Sequence, residues 1–216
     1  SQTDSFTEEK MFAVPPKCIY DAFLDKGELI KLTGTMCEMD KKKDCRSIIL
    51  YSEGKHFCAG ADFSRSNFKN ESDAYSALYD QAVRLFRTSK PIIAVIQGAA
   101  VGGGLGVALA ADFRIACKES RFSANFSKLG FHQGFGTTIT LPRVVGHQIA
   151  KKMRLTATRL KGEAAMACGL ADYLVDQKDL MTTAESLAKE INSSGPLGVQ
   201  AIRFTINEGI ADEIAK

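Results

Sequence analysis

Short apolar runs alternate with amphipathic stretches along the middle of this chain, and the alternation predicts strands that are each followed by a helix. Residues 46–52, 92–96 and 113–117 are apolar runs of strand length, as expected for strands buried on both faces of a parallel sheet. Residues 71–88 and 101–111 have the spacing of helices. Repetition of this strand–helix–strand unit predicts an α/β fold with a parallel sheet and right-handed crossovers.

The two ends of the chain have different patterns. Residues 18–39 have mixed helical spacing that Gly27 and Gly34 are expected to interrupt. The last part has a mostly helical pattern that is still running at the final residue, so we expect the native protein to continue beyond it. The prediction is one domain, with an α/β core in residues 1–145 and an incomplete helical C-terminal region in residues 146–216.

Composition and charge narrow the class of protein. The chain has 216 residues, of which 45% are hydrophobic and 25% charged, and this is enough for one full core of a soluble globular domain. Its formal net charge of +3 is mild, and the basic residues are dispersed apart from a lysine run at 41–43 that is typical of a solvated loop. Neither a nucleic-acid partner nor a membrane partner is expected.

The placement of cysteines and histidines bears on the compartment and on metal binding. The six cysteines form no Cys-x-x-Cys pair, and several lie in apolar surroundings, as expected of free thiols in a reducing, intracellular compartment. The three histidines lie far apart and in no metal-ligand spacing, so no metal is predicted. The first residues lack the pattern of a secretory signal, and the cytosol, the mitochondrion and the peroxisome all stay open.

The most informative segment has three consecutive glycines, Gly102, Gly103 and Gly104, at the predicted start of a helix. The first N–H groups of a helix have no intrahelical partner, and without side chains in the way they can bind an oxygen that carries or develops negative charge. The pattern predicts an anion hole, while tight packing of helix on sheet stays open as an alternative. A dinucleotide fingerprint is disfavoured because Val107 stands where its third glycine belongs.

Two segments read together resemble the crotonase family, also called the enoyl-CoA hydratase/isomerase superfamily. They are residues 56–62 (HFCAGAD) and residues 98–104 (GAAVGGG), the second of which leads into the predicted helix. Residues 141–146 (LPRVVG) and residues 155–172 follow in the same order as the corresponding stretches of that family. Four ordered segments are more specific than a lone glycine motif.

The resemblance implies a fold, a substrate and an assembly. The fold would be a crotonase-like spiral of ββα and βαβ turns with a helical C-terminal region. The substrate would be an acyl-CoA thioester of the kind handled in fatty acid metabolism, with coenzyme A as part of the substrate and no separate cofactor. The assembly would be a homotrimer or a hexamer.

The resemblance also assigns roles to residues of the two loops. The backbone N–H groups of Ala61 and Gly103 would form an oxyanion hole for the thioester oxygen, in agreement with the anion hole expected from the glycines. The further substrate-binding positions that it implies are Ala59, Gly60, Asp62, Gly102, Gly104 and Phe126.

The sequence departs from the family at the positions of its acid and base groups. Gly106 and Phe126 stand where the resemblance places the two hydratase glutamates, and Gly134 stands near the position of the isomerase acid. Glycine and phenylalanine can neither activate water nor protonate carbon. His132 is the candidate acid or base, because its ordinary pKa is about 6.5. A surface role for His132 and a capping role for Asp62 stay open.

Three functional hypotheses follow from this combination. The first is a lyase or isomerase that stabilises a thioester enolate in the backbone oxyanion hole, with decarboxylation of a malonyl-type thioester as the concrete example. The second is a non-catalytic subunit that binds acyl-CoA or serves in assembly. The third is a hydratase or isomerase that uses non-standard acid and base groups, such as Glu71.

Overall fold

The computed structural model describes residues 12–13, 26–60, 82–130 and 132–215. These residues include eight strands that form two sheets. In chain order, the strands are β1 Phe12–Ala13, β2 Ile48–Leu50, β3 Ile92–Ile96, β4 Ala99–Val101, β5 Phe113–Ala116, β6 Arg121–Ser123, β7 Arg159–Lys161 and β8 Tyr173–Leu174.

The main sheet has five strands in the order β1-β2-β3-β5-β8, and every neighbouring pair is parallel. This confirms the α/β class and the parallel sheet that the apolar runs predict. In the described part of the chain, the predicted strand at 46–52 is shorter, at Ile48–Leu50, and the predicted strand at 92–96 has its expected bounds, with all five residues buried.

A smaller sheet has three strands that the sequence pattern did not indicate. β4 pairs with β6 in parallel, and β6 pairs with β7 in antiparallel. Each of these strands has three residues, which is too short for a period-two alternation to be recognised. β4 of this sheet leads directly into the turn at Gly102, Gly103 and Gly104, which is called the glycine turn below.

The described helices surround the two sheets. The described part of the predicted helix at 71–88 includes helical residues 82–86, and residues 71–81 lie outside the described residues. The others, in chain order, are α1 Lys26–Lys41, α2 Gly103–Ala110, α3 Thr137–Thr156, α4 Gly162–Ala167, α5 Leu180–Asn192, α6 Pro196–Asn207 and α7 Ile210–Ile214, with 3-10 turns at Asn125–Leu129 and Gln177–Asp179.

The structure corrects one expectation about the two ends of the chain and confirms the other. The expected interruption at Gly27 and Gly34 is wrong, because α1 runs through both glycines without a break. A glycine costs a helix about 1 kcal/mol, and burial of Leu32 and Met36 on one face of α1 offsets more than that. The helical C-terminal region is confirmed, and it also supplies one strand to each sheet, β7 and β8.

Both faces of the main sheet are covered. Two hydrophobic cores lie on its opposite faces, and alternate residues of β3 belong to different cores. Ile92, Ala94 and Ile96 belong to the larger core, which includes residues of α2. Ile93 and Val95 belong to the smaller core. The smaller core is closed by α5 from the C-terminal region. A strand covered on both faces has no polar side, which is why its sequence is continuously apolar.

Candidate functional site

The glycine segment turns sharply from β4 into α2. Gly102 caps the helix in a backbone conformation with φ 56° and ψ −118°, which a residue with a Cβ rarely adopts. The N–H of Gly102 donates a hydrogen bond to the carbonyl of Ser123 at 2.9 Å. No described residue accepts a hydrogen bond from the N–H of Gly103, and no side chain caps this helix end. Gly103 therefore presents an unused donor at the positive end of a helix.

The loop that precedes Ala61 packs against this turn through backbone atoms. Gly60 has φ 96°, and a Cβ there would stand 2.8 Å from the carbonyl oxygen of Val101 and 3.9 Å from the nitrogen of Gly103. A Cβ on Gly104 would stand 2.1 Å from the carbonyl oxygen of Cys58. The glycines at both positions are therefore required for the two loops to approach, and the half-buried Ala59 lies in the same loop. Ala61 and Asp62 lie outside the described residues.

Two backbone hydrogen bonds fix the register of this approach. The N–H of Cys58 donates to the carbonyl of Ala99 at 2.9 Å, and the N–H of Val101 donates to the carbonyl of Cys58 at 3.0 Å. The resemblance implies that these two loops together form an oxyanion hole. The structure brings them together around Gly103.

Gln97 and His56 support the first loop, a role that no sequence motif indicated. Gln97 Nε2 lies within 3.1 Å of the carbonyl oxygens of Ser52, Gly54 and His56. His56 Nδ1 accepts a hydrogen bond from the N–H of Ala99 at 3.2 Å. Burial of His56, reinforced by nearby basic groups, lowers its pKa below the ordinary value and so favours the neutral ring that this acceptor role needs. Gln97 is a polar residue directly after the apolar run at 92–96, and this position is the sequence signal that could have indicated its role.

The thiol of Cys58 lies under the site but is not a nucleophile near neutral pH. The residue is fully buried, and burial raises the pKa of its thiol to about 11. A hydrogen bond from the backbone of Gly60 lowers this pKa, but its effect is smaller than that of burial. A thiol with that pKa is protonated at pH 7, and the protonated form is unreactive. Cys58 therefore packs the loop rather than reacts.

Gly106 lies one turn into α2, and the ring of Phe135 fills the space beside it. A Cβ on Gly106 would stand 2.6 Å from Cδ1 and 2.7 Å from Cβ of Phe135. Phe135 is buried and has φ 55°, a left-handed conformation that is costly for an aromatic residue. The neighbouring Gly136 also has a positive φ, and a Cβ there would stand 2.7 Å from Ile214 of α7. This packing leaves no room for a side chain at position 106.

Asn125 and Phe126 approach the glycine turn from the other side. They begin the 3-10 turn Asn125–Leu129 that follows β6. A Cβ on Gly102 would stand 3.1 Å from Oδ1 of Asn125 and 3.8 Å from Cζ of Phe126. Both side chains are partly exposed. The structure therefore brings Phe126 to Gly102, as well as a carboxamide that the resemblance did not assign.

His132 and Gly134 lie on the loop between this turn and α3. His132 is exposed and makes no hydrogen bond or ion pair with any described residue. The carbonyl of Gly134 accepts hydrogen bonds from the N–H and the hydroxyl of Thr137, so this glycine helps to start the helix. Among the described residues, no hydrogen bond joins either of them to the turn at Gly103.

Neither a cluster of metal-ligating side chains nor a membrane-spanning helix is present in the part of the chain that the structure describes. Its His, Cys, Asp and Glu side chains form no group of three or more that could hold a metal ion. None of its helices has the length and apolar character needed to cross a bilayer. The five cysteines among these residues are free thiols.

The chain is similar to known proteins in sequence and in fold. A family model described as enoyl-CoA hydratase/isomerase matches residues 24–216. The short-chain-enoyl-CoA hydratase of Clostridium acetobutylicum is 34% identical over 88% of this chain and 75% of its own length. The (E)-benzylidenesuccinyl-CoA hydratase of Thauera aromatica is 37% identical over 83% of this chain and 72% of its own. The crystal structure of an enoyl-CoA hydratase from Bacillus anthracis superposes with a TM-score of 0.82 at 29% identity, covering 89% of this chain and 78% of that one.

Proposed function

The chain belongs to the enoyl-CoA hydratase/isomerase family, and on this basis we propose that it is an acyl-CoA enzyme that stabilises a thioester enolate with the backbone N–H groups of Gly103 and Ala61. The N–H of Gly103 supports the proposal because no described residue uses it and it lies at a helix start. Gly60 packs beside Gly103 and leads directly into Ala61. Two such donors would stabilise the negative charge that develops on the carbonyl oxygen.

The two donors are expected to lower the barrier to enolate formation. Removal of one oxyanion donor typically raises a barrier by about 3 kcal/mol, and the helix dipole behind Gly103 adds roughly half a positive charge at short range. Both donors are main-chain N–H groups, which do not titrate, so their action depends on no ionisable side chain. Coenzyme A enters as part of the substrate, and the reaction as proposed uses no other cofactor.

The observation that carries the choice of reaction is the ring of Phe135 at Gly106. The resemblance places a hydratase glutamate at this position and a second one at Phe126, and the packing around Gly106 leaves no space for a carboxylate. Addition of water to a conjugated double bond needs groups that activate water and protonate carbon. We therefore favour a reaction in which the substrate itself supplies the electrons.

Decarboxylation of a malonyl-type thioester is such a reaction. The bond between the α-carbon and the carboxylate breaks, its electron pair enters the enolate, and carbon dioxide leaves. The negative charge moves from the carboxylate to the thioester oxygen, where the N–H groups of Gly103 and Ala61 stabilise it. A proton that comes from water, with His132 as the candidate group to pass it on, then completes the α-carbon and gives the shorter acyl-CoA.

The proposed assembly is a homotrimer or a pair of trimers, and α6 supports an assembly. Its inner side is fixed by Arg203, whose Nε donates to Oδ2 of Asp112 at 2.8 Å. The rest of its surface is mostly apolar and exposed, with Leu197 81% and Phe204 71% exposed. A helix that is apolar on nearly every side is normally buried, and we propose that further copies of this chain cover it.

The test is to incubate the purified protein separately with methylmalonyl-CoA and with crotonyl-CoA and to follow both by mass spectrometry. The expected result is loss of carbon dioxide from the first and no change in the second. Rapid hydration of crotonyl-CoA would overturn the proposal in favour of a hydratase with non-standard groups. Binding of both thioesters without turnover would leave the non-catalytic acyl-CoA-binding subunit.

A further inference from the structure

The carboxamide of Asn125 lies against the glycine turn. Its Oδ1 is 3.1 Å from the point where a Cβ on Gly102 would stand. No described residue donates a hydrogen bond to this side chain or accepts one from it. A partly buried amide without a hydrogen-bond partner among the described residues is available to a ligand.

This carboxamide is within reach of a substrate held at Gly103. Gly102 and Gly103 share one peptide bond, so standard geometry puts Oδ1 of Asn125 within about 7 Å of the nitrogen of Gly103. A thioester oxygen bound to that N–H would lie about 3 Å from the nitrogen. A substituent on the α-carbon of the thioester extends further by about two bond lengths, roughly 3 Å. The terminal torsion of asparagine is roughly two-fold, so rotation of the carboxamide can turn Nδ2 to the position of Oδ1, and the amide and such a substituent can then meet.

The surroundings suit an anionic substituent. The described side chains nearest to Gly102 and Gly106, namely Asn125, Phe126 and Phe135, are uncharged. A carboxylate on the substrate would meet no like charge from them, whereas a glutamate at either predicted position would repel it. The two N–H donors of the Asn125 amide can bind a carboxylate at any pH, because the amide does not titrate.

We propose that Asn125 is a substrate-binding residue that selects acyl-CoA thioesters with a carboxylate on the α-carbon, through a hydrogen bond from its Nδ2 to that carboxylate. The assignment rests on the proposed function, since it uses the thioester position at Gly103. When carbon dioxide leaves, the charge moves from the carboxylate to the thioester oxygen, and the charge-assisted hydrogen bond to Asn125 is lost. The residue therefore contributes to binding and selection, not to lowering the barrier.

The experiment compares binding of sulfoacetyl-CoA, whose sulfonate is a charged group that cannot leave as carbon dioxide, with binding of acetyl-CoA by calorimetry. The variants are Asn125→Asp, which differs mainly in charge, and Asn125→Ala, with Ser127→Ala from the same 3-10 turn as the control. The unaltered protein is expected to bind sulfoacetyl-CoA more tightly. Asn125→Asp is expected to lose that preference by about 10-fold to 100-fold near neutral pH, because two negative charges then face each other.

Two further readouts separate selection from a merely structural role. Asn125→Asp should bind acetyl-CoA as the unaltered protein does, and its affinity for sulfoacetyl-CoA should recover as the pH falls, because the new carboxyl lies beside an anion and its pKa is raised. With methylmalonyl-CoA as substrate, Asn125→Ala should raise KM without lowering kcat, because the hydrogen bond is made in the ground state and is lost as carbon dioxide leaves. Ser127→Ala should change neither quantity.

The outcomes distinguish this assignment from the proposed reaction. Carbon dioxide release by the unaltered protein, together with an unchanged preference in Asn125→Asp, would overturn the role of Asn125 and leave the reaction. A preference for sulfoacetyl-CoA that Asn125→Asp abolishes, without carbon dioxide release, would support Asn125 and overturn the decarboxylase. Absence of binding by either thioester would overturn both.

Discussion

The ring of Phe135 stands where a side chain on Gly106 would have to begin. Its Cδ1 lies 2.6 Å from the ideal Cβ position, inside the van der Waals limit for two carbon atoms. Phe135 is buried and held at φ 55° between α2 and the start of α3. The two residues therefore depend on each other: the glycine admits the ring, and the ring excludes any larger residue at position 106.

Gly106→Ala is expected to destabilise the protein, because the added methyl group must displace a buried ring whose backbone is already in a costly conformation. Overpacking of this kind typically costs about 1–3 kcal/mol of unfolding free energy. The matched control is Gly34→Ala in α1, where the added methyl group meets no atom within 4 Å. That control should gain up to about 1 kcal/mol from helix propensity. Urea unfolding of both variants measures the difference, and equal stabilities would contradict the packing described for Phe135.

Gly60→Ala is expected to impair acyl-CoA binding as well as stability. The methyl group would stand 2.8 Å from the carbonyl oxygen of Val101, and φ 96° is unfavourable for alanine. Relief of this clash would separate the loop from Gly103 and so misplace the predicted donor at Ala61. Gly54→Ala is the control, because its methyl group would make an ordinary contact 3.7 Å from Oγ of Ser52.

The measurement for Gly60→Ala is calorimetric titration with acetyl-CoA, after circular dichroism has shown that the variant is folded. A loss of about 10-fold or more in affinity is expected, because small displacements of positioning groups have large effects. Gly54→Ala should bind as the unaltered protein does. Normal binding by a folded Gly60→Ala would contradict the placement of the substrate beside Gly103.

The buried thiol of Cys58 predicts that stability falls at high pH. Its pKa is about 11 in the folded protein, against 9.0 for an ordinary thiol that is accessible to water. Above pH 9 the unfolded chain loses this proton while the folded chain keeps it, so the folded state loses stability as the pH rises from about 9 to 11. A difference of about two pKa units corresponds to roughly 3 kcal/mol. Below pH 9 this contribution is constant.

Urea unfolding of the unaltered protein and of Cys58→Ala at about pH 8 and about pH 10.5 measures this contribution. The alanine variant is expected to be less stable at the lower pH, because a buried group is removed, and to show a smaller decrease between the two values. Other groups titrate in this range, so the comparison is the difference between the two proteins. An identical pH dependence would show that the thiol of Cys58 is accessible to water in the folded protein.

The exposed apolar side of α6 predicts that single charges will disrupt the proposed assembly. Phe204→Glu would put a charge into an interface that covers this helix, and size-exclusion chromatography with light scattering should show dissociation toward the monomer. Leu155→Glu is the control, because Leu155 is 73% exposed on α3, outside α6. A monomeric unaltered protein, or a Phe204→Glu variant that assembles normally, would contradict the proposed contact through α6.

The α/β class, the bounds of β3 and the meeting of the two loops around Gly103 could all be predicted from the order of residues alone. The class and the bounds of β3 follow from apolar runs of strand length, which are local. The meeting of the two loops is implied by motifs that resemble a known family. The three-residue strands β4, β6 and β7 had no local signal of this kind. Their pairing depends on partners more than twenty residues away, so no short window of sequence contains it.

The surroundings of the glycine turn, by contrast, are a property of the folded chain. In sequence, Gly106 and Phe126 are merely positions without a carboxylate, and Asn125 is one polar residue among several. Folding puts Phe135 into the space beside Gly106, brings Asn125 to Gly102, and joins Gln97 to the loop before Gly60. These contacts join residues that are far apart in the chain. Steric exclusion and hydrogen bonding act between atoms close in space, and the linear order of residues does not encode that closeness directly.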